Sequence, residues 1–272
     1  MPSATRRARS FSNALSDMVE ESRVDIHYLG HAAFLLRFGN VSVLVDYGEE
    51  NAWVEHGWDS PILDIGTCCP DLAVYSHMHH ADHYAPSRLS QGTPVWPFEK
   101  GMGNIGDVAI ETIGLHEQEI TSADIRAHLF TYRELRVLHL GDCQADIMHV
   151  AELPHRAWLL DVLPIGCDVV LMPIESQEEF PESAALFLQL LQARFAVPMH
   201  YWSEESRDRF VDAVSHDVSS VTIVPQEKAQ LAIQPGDGGS RLALLERAPF
   251  RGWSGSESEV TQGKEGDPDG SA

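Results

Sequence analysis

From Ser76 to Tyr84 the chain reads Ser-His-Met-His-His-Ala-Asp-His-Tyr, so four histidines and one aspartate fall within seven residues. Imidazole nitrogen and carboxylate oxygen are the donors that borderline divalent cations such as zinc accept. The preceding run, Leu72-Ala73-Val74-Tyr75, has the apolar character of a short buried strand. A strand ending at such a cluster holds the loop on a rigid element while the loop bends several side chains toward one point. Solvated turns rarely gather this many histidines beside an aspartate, and the segment reads as a metal site.

Three distant residues share the placement of His77 just past a strand. His116 follows Val108–Ile113 and Gly114-Leu115, Asp142 follows Arg136–Leu140 and Gly141, and His200 closes Val197-Pro198-Met199. In layered α/β proteins ligands gather at strand ends, so these four positions can converge. Asp46 closes the apolar run Val41–Val45, either as a turn former or as an acceptor that orients a ligand histidine. His31, after Gly30, is either a pocket-lining or a core histidine. His128 and His139 lie inside alternating strands, and His149, His155 and His216 on helical stretches, where histidines ordinarily serve packing or the surface. Cys143 beside Asp142 reads as packing.

The elements that must position these residues are legible in outline. Val24–Leu29 and Ala33–Phe38 read as strands, and Gly39-Asn40 predicts a hairpin to Val41–Val45. Tyr47–Pro70, with Trp53 and Trp58, is a long loop that either shapes a pocket or packs as decoration. Pro94–Phe98 is a short strand candidate, and Gly101–Gly106 a glycine-rich turn without the pattern of a phosphate loop. Strands are expected at Val108–Ile113, Ile125–Phe130, Arg136–Leu140 and Asp168–Met172, with two short helices broken at Pro154 over Gln144–Leu163. A helix starts at Pro181 and carries Ala184, Ala185, Leu188, Leu191 and Phe195 on its apolar face. A helix over Glu204–Val214 and strands at Val221–Val224 and Gln230–Ile233 close the pattern. It describes one α/β domain with two packed sheets over residues 24–250, between a polar leader (1–23) and a disordered acidic tail (251–272).

Forty-one acidic against 19 basic residues leave a net charge of −22, which opposes nucleic acid and anionic membrane surfaces and leaves a small molecule as the expected substrate. The four cysteines form no CxxC pair, and adjacent Cys68 and Cys69 are poorly placed to bridge each other, which fits a reducing compartment. No apolar run approaches the ~18–20 residues that span a bilayer. The pair Arg6-Arg7 has no apolar segment behind it, so a cytoplasmic protein is expected.

Taken together, Leu29-Gly30-His31-Ala32-Ala33-Phe34-Leu35, Leu44-Val45-Asp46, the histidine loop, Gly141-Asp142, Met172-Pro173-Ile174 and Pro198-Met199-His200-Tyr201 resemble the metallo-β-lactamase superfamily, nearest its L-ascorbate-phosphate lactonase-like branch. The resemblance implies a four-layer αβ/βα sandwich and two divalent cations, zinc foremost with manganese or iron as alternatives. One cation would be held by His77, His79 and His116, the other by Asp82, His83 and His200, with Asp142 bridging. It implies a hydrolase of a small soluble ester, lactone or phosphodiester acting through metal-bound hydroxide, with Asp82 as the catalytic carboxylate. The usual spacing His-x-His-x-Asp-His carries one extra residue here. Either His77 and His79 ligate with a bulge before Asp82, or the register shifts and puts Met78 in the first histidine position and His80 in the second. Two other readings on the same fold are a di-iron redox or oxygen-activating protein and a non-catalytic metal-binding protein.

Overall fold

The computed structural model describes residues 23–49, 69–78, 80–81, 83–89, 92–99, 101–120, 123–175, 180–201, 203–217, 221–226, 230–235 and 240–245. The leader before residue 23, the tail beyond 245 and most of the long loop, Trp53 and Trp58 included, lie outside these described residues.

Strand β1 (Val24–Gly30) alternates between fully and half-buried positions, with Val24, Ile26 and Tyr28 turned inward as a period of two dictates. It pairs antiparallel with β2 (Ala33–Phe38), which turns at Gly39-Asn40 into β3 (Val41–Val45), so the predicted hairpin forms. β4 (Leu72–Val74), which leads to the histidine loop, pairs parallel with β3. The succeeding strands are β5 (Met102–Ile105), β6 (Val108–Leu115), β7 (Ile125–Tyr132), β8 (Leu135–His139), β9 (Val169–Pro173), β10 (Phe195–Met199), β11 (Val221–Gln226), β12 (Gln230–Ile233) and β13 (Ser240–Leu245). They form a five-stranded sheet in the order β12-β1-β2-β3-β4 and an eight-stranded sheet in the order β11-β13-β10-β9-β8-β7-β6-β5.

One apolar core lies between the sheets, with Ile26, Phe34, Leu36 and Val43 meeting Phe130, Val137, Leu171 and Val197. A second core separates the eight-stranded sheet from the helices α1 (Gln144–Met148), α2 (Leu153–Val162), α3 (Pro181–Leu191) and α4 (Glu204–Asp217). β9 and β10, covered on both faces, are buried at every position. Pro154 stands in the first turn of α2, where its missing N–H costs nothing, and Pro181 does the same for α3. Ser203 Oγ accepts the N–H of Ser206 at 3.1 Å and so starts α4. The outer face of the five-stranded sheet carries a small cluster of Leu29, Ala33, Leu35, Leu44 and Tyr47 with Leu89 against it. This is the α/β sandwich of the metallo-β-lactamase fold.

Several local expectations are corrected. Residues 102–105 of the glycine-rich segment are an exposed edge strand paired with β6, and only Gly106-Asp107 turns. Phe195 does not extend the face of α3. That helix stops at Leu191 with Gln192 left-handed (φ 52°), and Phe195 opens β10. Pro94–Phe98 forms only an isolated bridge between Val95 and Ala73.

Candidate metal centre

The site lies where strands of both sheets end. His31 follows β1, Asp46 follows β3, His77 follows β4, His116 and Glu117 follow β6, Asp142 follows β8, and His200 follows β10. Backbone hydrogen bonds lock these ends together. Asp46 N donates to Val74 O (3.0 Å), Arg126 N to Ser76 O (3.0 Å), and His200 N to His31 O (2.9 Å), the last joining the two sheets. Tyr28 Oη donates to the same His31 carbonyl at 3.0 Å. His31, Asp46 and His200 all adopt positive φ (52°, 47° and 52°), a conformation disfavoured for residues with a Cβ that persists where surrounding bonds over-determine it.

The imidazoles are oriented by what their Nδ1 atoms touch. Asp46 Oδ1 accepts Ser76 N (2.6 Å), and Oδ2 accepts Ser76 Oγ (2.5 Å) and His83 Nδ1 (3.1 Å). With its proton given to Asp46, Ser76 Oγ accepts from His77 Nδ1 at 2.9 Å. His200 Nδ1 donates to Glu175 O at 2.8 Å, and His116 Nδ1 to Asp146 Oδ1 at 2.9 Å. An imidazole that donates through Nδ1 keeps its Nε2 lone pair for a cation, so one tautomer is imposed on all four rings. Burial, then the nearby His83, lowers the pKa of His77 and favours the neutral, ligating form.

The rings converge. Centroids of His77 and His83 are 4.4 Å apart and those of His83 and His200 5.3 Å, while His200 Nε2 lies 3.6 Å from Asp142 Oδ2. Two groups place their donor atoms within 4.8 Å of one another: His31 with His83 and His200, and His77 with Glu117 and Asp142. A third, Asp46 with His77 and His83, is the orienting set just described, since both Asp46 oxygens are already engaged. His31 Nε2 is 3.1 Å from His83 Nε2, so the fully buried His31 ring lies against the cluster. The structure therefore brings together His77, His83, Asp142 and His200 of the predicted set. His79 and Asp82 lie outside the described residues, and His80 is half-buried with Nε2 3.3 Å from Glu117 Oε1. His116 belongs to none of the donor groups among the described residues. Its ring packs on Trp158 (4.8 Å), and Asp146 holds both its Nδ1 and, at 2.7 Å, its backbone N–H.

The donor chemistry fits divalent cations: several imidazoles of fixed tautomer beside buried carboxylates. Residues 25–200 match the family model described as a beta-lactamase superfamily domain. The chain belongs to the metallo-β-lactamase superfamily. Solved structures agree on the fold. A superfamily member from Thermotoga maritima is 21% identical at a TM-score of 0.55, covering 82% of this chain and all of the other (100%). A metallo hydrolase from Ignicoccus hospitalis is 17% identical at a TM-score of 0.54, covering 78% of this chain and 98% of the other. An isothiocyanate hydrolase from Delia radicum gut bacteria is 12% identical at a TM-score of 0.54, covering 77% and 99%. No curated protein matches the chain.

The histidines outside this metallo-β-lactamase centre have other partners. His128 Nε2 donates to Tyr75 O at 3.2 Å, and burial pulls its pKa down to about 4. His139 Nε2 donates to Ala32 O at 2.9 Å, and its Nδ1 accepts Gly141 N at 3.2 Å. His155 approaches Asp146 at 3.0 Å and stacks on Trp158. Glu117 is the residue that the sequence reading missed. It carries no periodic signal, and its one cue is that it stands beside His116 at a strand end.

Proposed function

We propose that the chain is a hydrolase that uses two divalent cations to cleave a small ester, lactone or phosphodiester, a lactone being favoured by the phrase Leu29–Leu35 that resembles the lactonase-like branch. The reading rests on one observation: His77, His83, His200 and Asp142, separated by up to 123 positions, meet at one end of the sandwich, with the histidines' Nδ1 atoms tied to oxygen. These residues would hold the cations, with His79 and Asp82 completing the set. When bound, such cations acidify coordinated water and polarise the substrate's acyl or phosphoryl oxygen. Asp82 would orient the attacking water and return its proton to the leaving group. Asp46 and Ser76 hold the loop rings in one tautomer, so little reorganisation is needed when substrate enters. His31, fully buried with its ring against those of His83 and His200, would help to fix both. The free thiols, and the absence of a membrane-crossing helix among the described residues, support action in the cytoplasm.

The test is metal analysis of the purified protein together with a panel of lactones, carboxylic esters and phosphodiesters. About two metal equivalents are expected, with turnover of at least one panel member that chelation abolishes and added metal restores. Metal-free protein, or turnover indifferent to chelation, would overturn the reading.

A further inference from the structure

Glu117 is buried, 5% exposed, on a loop whose backbone is pinned from two sides. Its N–H donates to Asp124 Oδ1 at 2.9 Å, and its carbonyl accepts Ala145 N at 2.8 Å, from the first turn of α1 just after Asp142. That pinning fixes Glu117 relative to Asp142. Its side chain runs into the histidine cluster, with Oε2 3.5 Å from His77 Nε2 and Oε1 3.3 Å from His80 Nε2. Donor atoms of Glu117, His77 and Asp142 all lie within 4.8 Å of one another. Asp142 is itself only 5% exposed, so two carboxylates share a dry pocket. Without a cation they repel each other and forfeit hydration; a cation between them turns the repulsion into two bonds.

We propose that Glu117 is a metal ligand, holding one cation together with His77 and Asp142, and that it tilts this position toward harder ions. The inference rests on the di-cation reading above and assigns one donor within it. Carboxylate oxygen suits manganese, whereas an all-imidazole set suits zinc. A second carboxylate at this position therefore raises affinity for Mn²⁺ relative to Zn²⁺. His116, whose Nδ1 and backbone N–H are both held by Asp146, anchors the loop that presents Glu117.

The test compares the wild-type chain with Glu117→Gln, which keeps shape and loses the charge. Each protein is stripped, incubated with Mn²⁺, with Zn²⁺ and with both, gel-filtered, and its metal counted by plasma mass spectrometry, with circular dichroism to verify folding. Glu117→Gln is expected to lose about one bound equivalent in Mn²⁺, and its Mn-to-Zn occupancy ratio in competition to fall roughly tenfold. Unchanged stoichiometry and ratio would overturn the proposal while leaving the di-cation reading intact. Wild-type protein that binds no metal would overturn both. If Glu117→Gln does not fold, Glu117→Asp keeps the charge but withdraws the oxygens, and Mn²⁺ affinity should fall roughly tenfold. Wild-type affinity in Glu117→Asp would overturn the proposal equally.

Discussion

Asp46 shows how one side chain can govern two others without belonging to the donor set itself. It has no solvent exposure, and burial alone would raise its pKa. The hydrogen bond from His83 and the fields of His139, His83 and His77 outweigh that and hold it well below the usual carboxylate range. It therefore stays ionised at working pH, taking the Nδ1 proton bond of His83 directly and that of His77 through Ser76 Oγ. Asp46→Asn keeps the volume but removes the charge and one acceptor, so metal affinity should fall about 10–100-fold with the fold retained. Chelator competition measures this, and unchanged affinity would remove Asp46 from the orienting role. The buried thiols offer a check on the packing reading of Cys143. Burial pushes its pKa well above the ordinary thiol value, and that of Cys167 to about 11. A raised thiol pKa means that the reactive thiolate appears only as pH climbs toward it. Peptide mapping after iodoacetamide treatment of native protein at pH 8 should find Cys143 and Cys167 unmodified and exposed Cys69 alkylated.

At the scale of elements, the turn after β8 is fitted against the loop after β4 with no room to spare. Gly141 has φ +63°, and a Cβ there would lie 2.6 Å from Ser76 Cβ and 2.8 Å from its Oγ. Gly141→Ala therefore combines a left-handed backbone cost of roughly 1–2 kcal/mol with overpacking of about 1–3 kcal/mol. Because Ser76 links His77 to Asp46, the change should lower Tm by several degrees and weaken metal binding together. Calorimetry with and without added Zn²⁺ would show both, and a neutral result would mean that the two loops are not tightly coupled. The hairpin of β2 and β3 was legible because Gly39-Asn40 states its turn locally, and β9 and β10 because their apolar runs are short and unbroken. β5 was not, since Met102-Gly103-Asn104-Ile105 has little strand propensity and is extended by pairing with β6. β13 escaped for a related reason: its parallel partners, β10 and β11, leave no mark in its own residues. In the site, residues directly after a strand, His77, Asp142 and His200, could be read from position. Whether His116 or its neighbour Glu117 faces the cluster is decided by the course of the loop between β6 and β7, held by Asp124, Asp146 and Ala145, and no local pattern encodes that.

For the whole molecule the governing quantity is charge. Forty-one acidic side chains against 19 basic ones leave −22, and three of the acids, Asp46, Glu117 and Asp142, lie buried in the region of the candidate metal centre. Bound cations would offset the charge locally, inside the cleft, while the surface beyond a Debye length of about 8–10 Å still presents net negative potential. A nucleic acid needs the opposite, a continuous basic track that releases counterions from several phosphates. Several of the described arginines are instead drawn into pairs with acids: Arg126 with Glu99, Arg194 with Asp168, and Arg207 with Glu204 and Asp208. Duplex DNA and single-stranded RNA are therefore expected to show no change in fluorescence anisotropy with low-micromolar protein at physiological salt. Lowering the salt should not reveal binding either, because weaker screening strengthens the repulsion between the acidic surface and phosphate. Association that tightens as salt falls would reveal a basic phosphate track and would count against a small-molecule substrate.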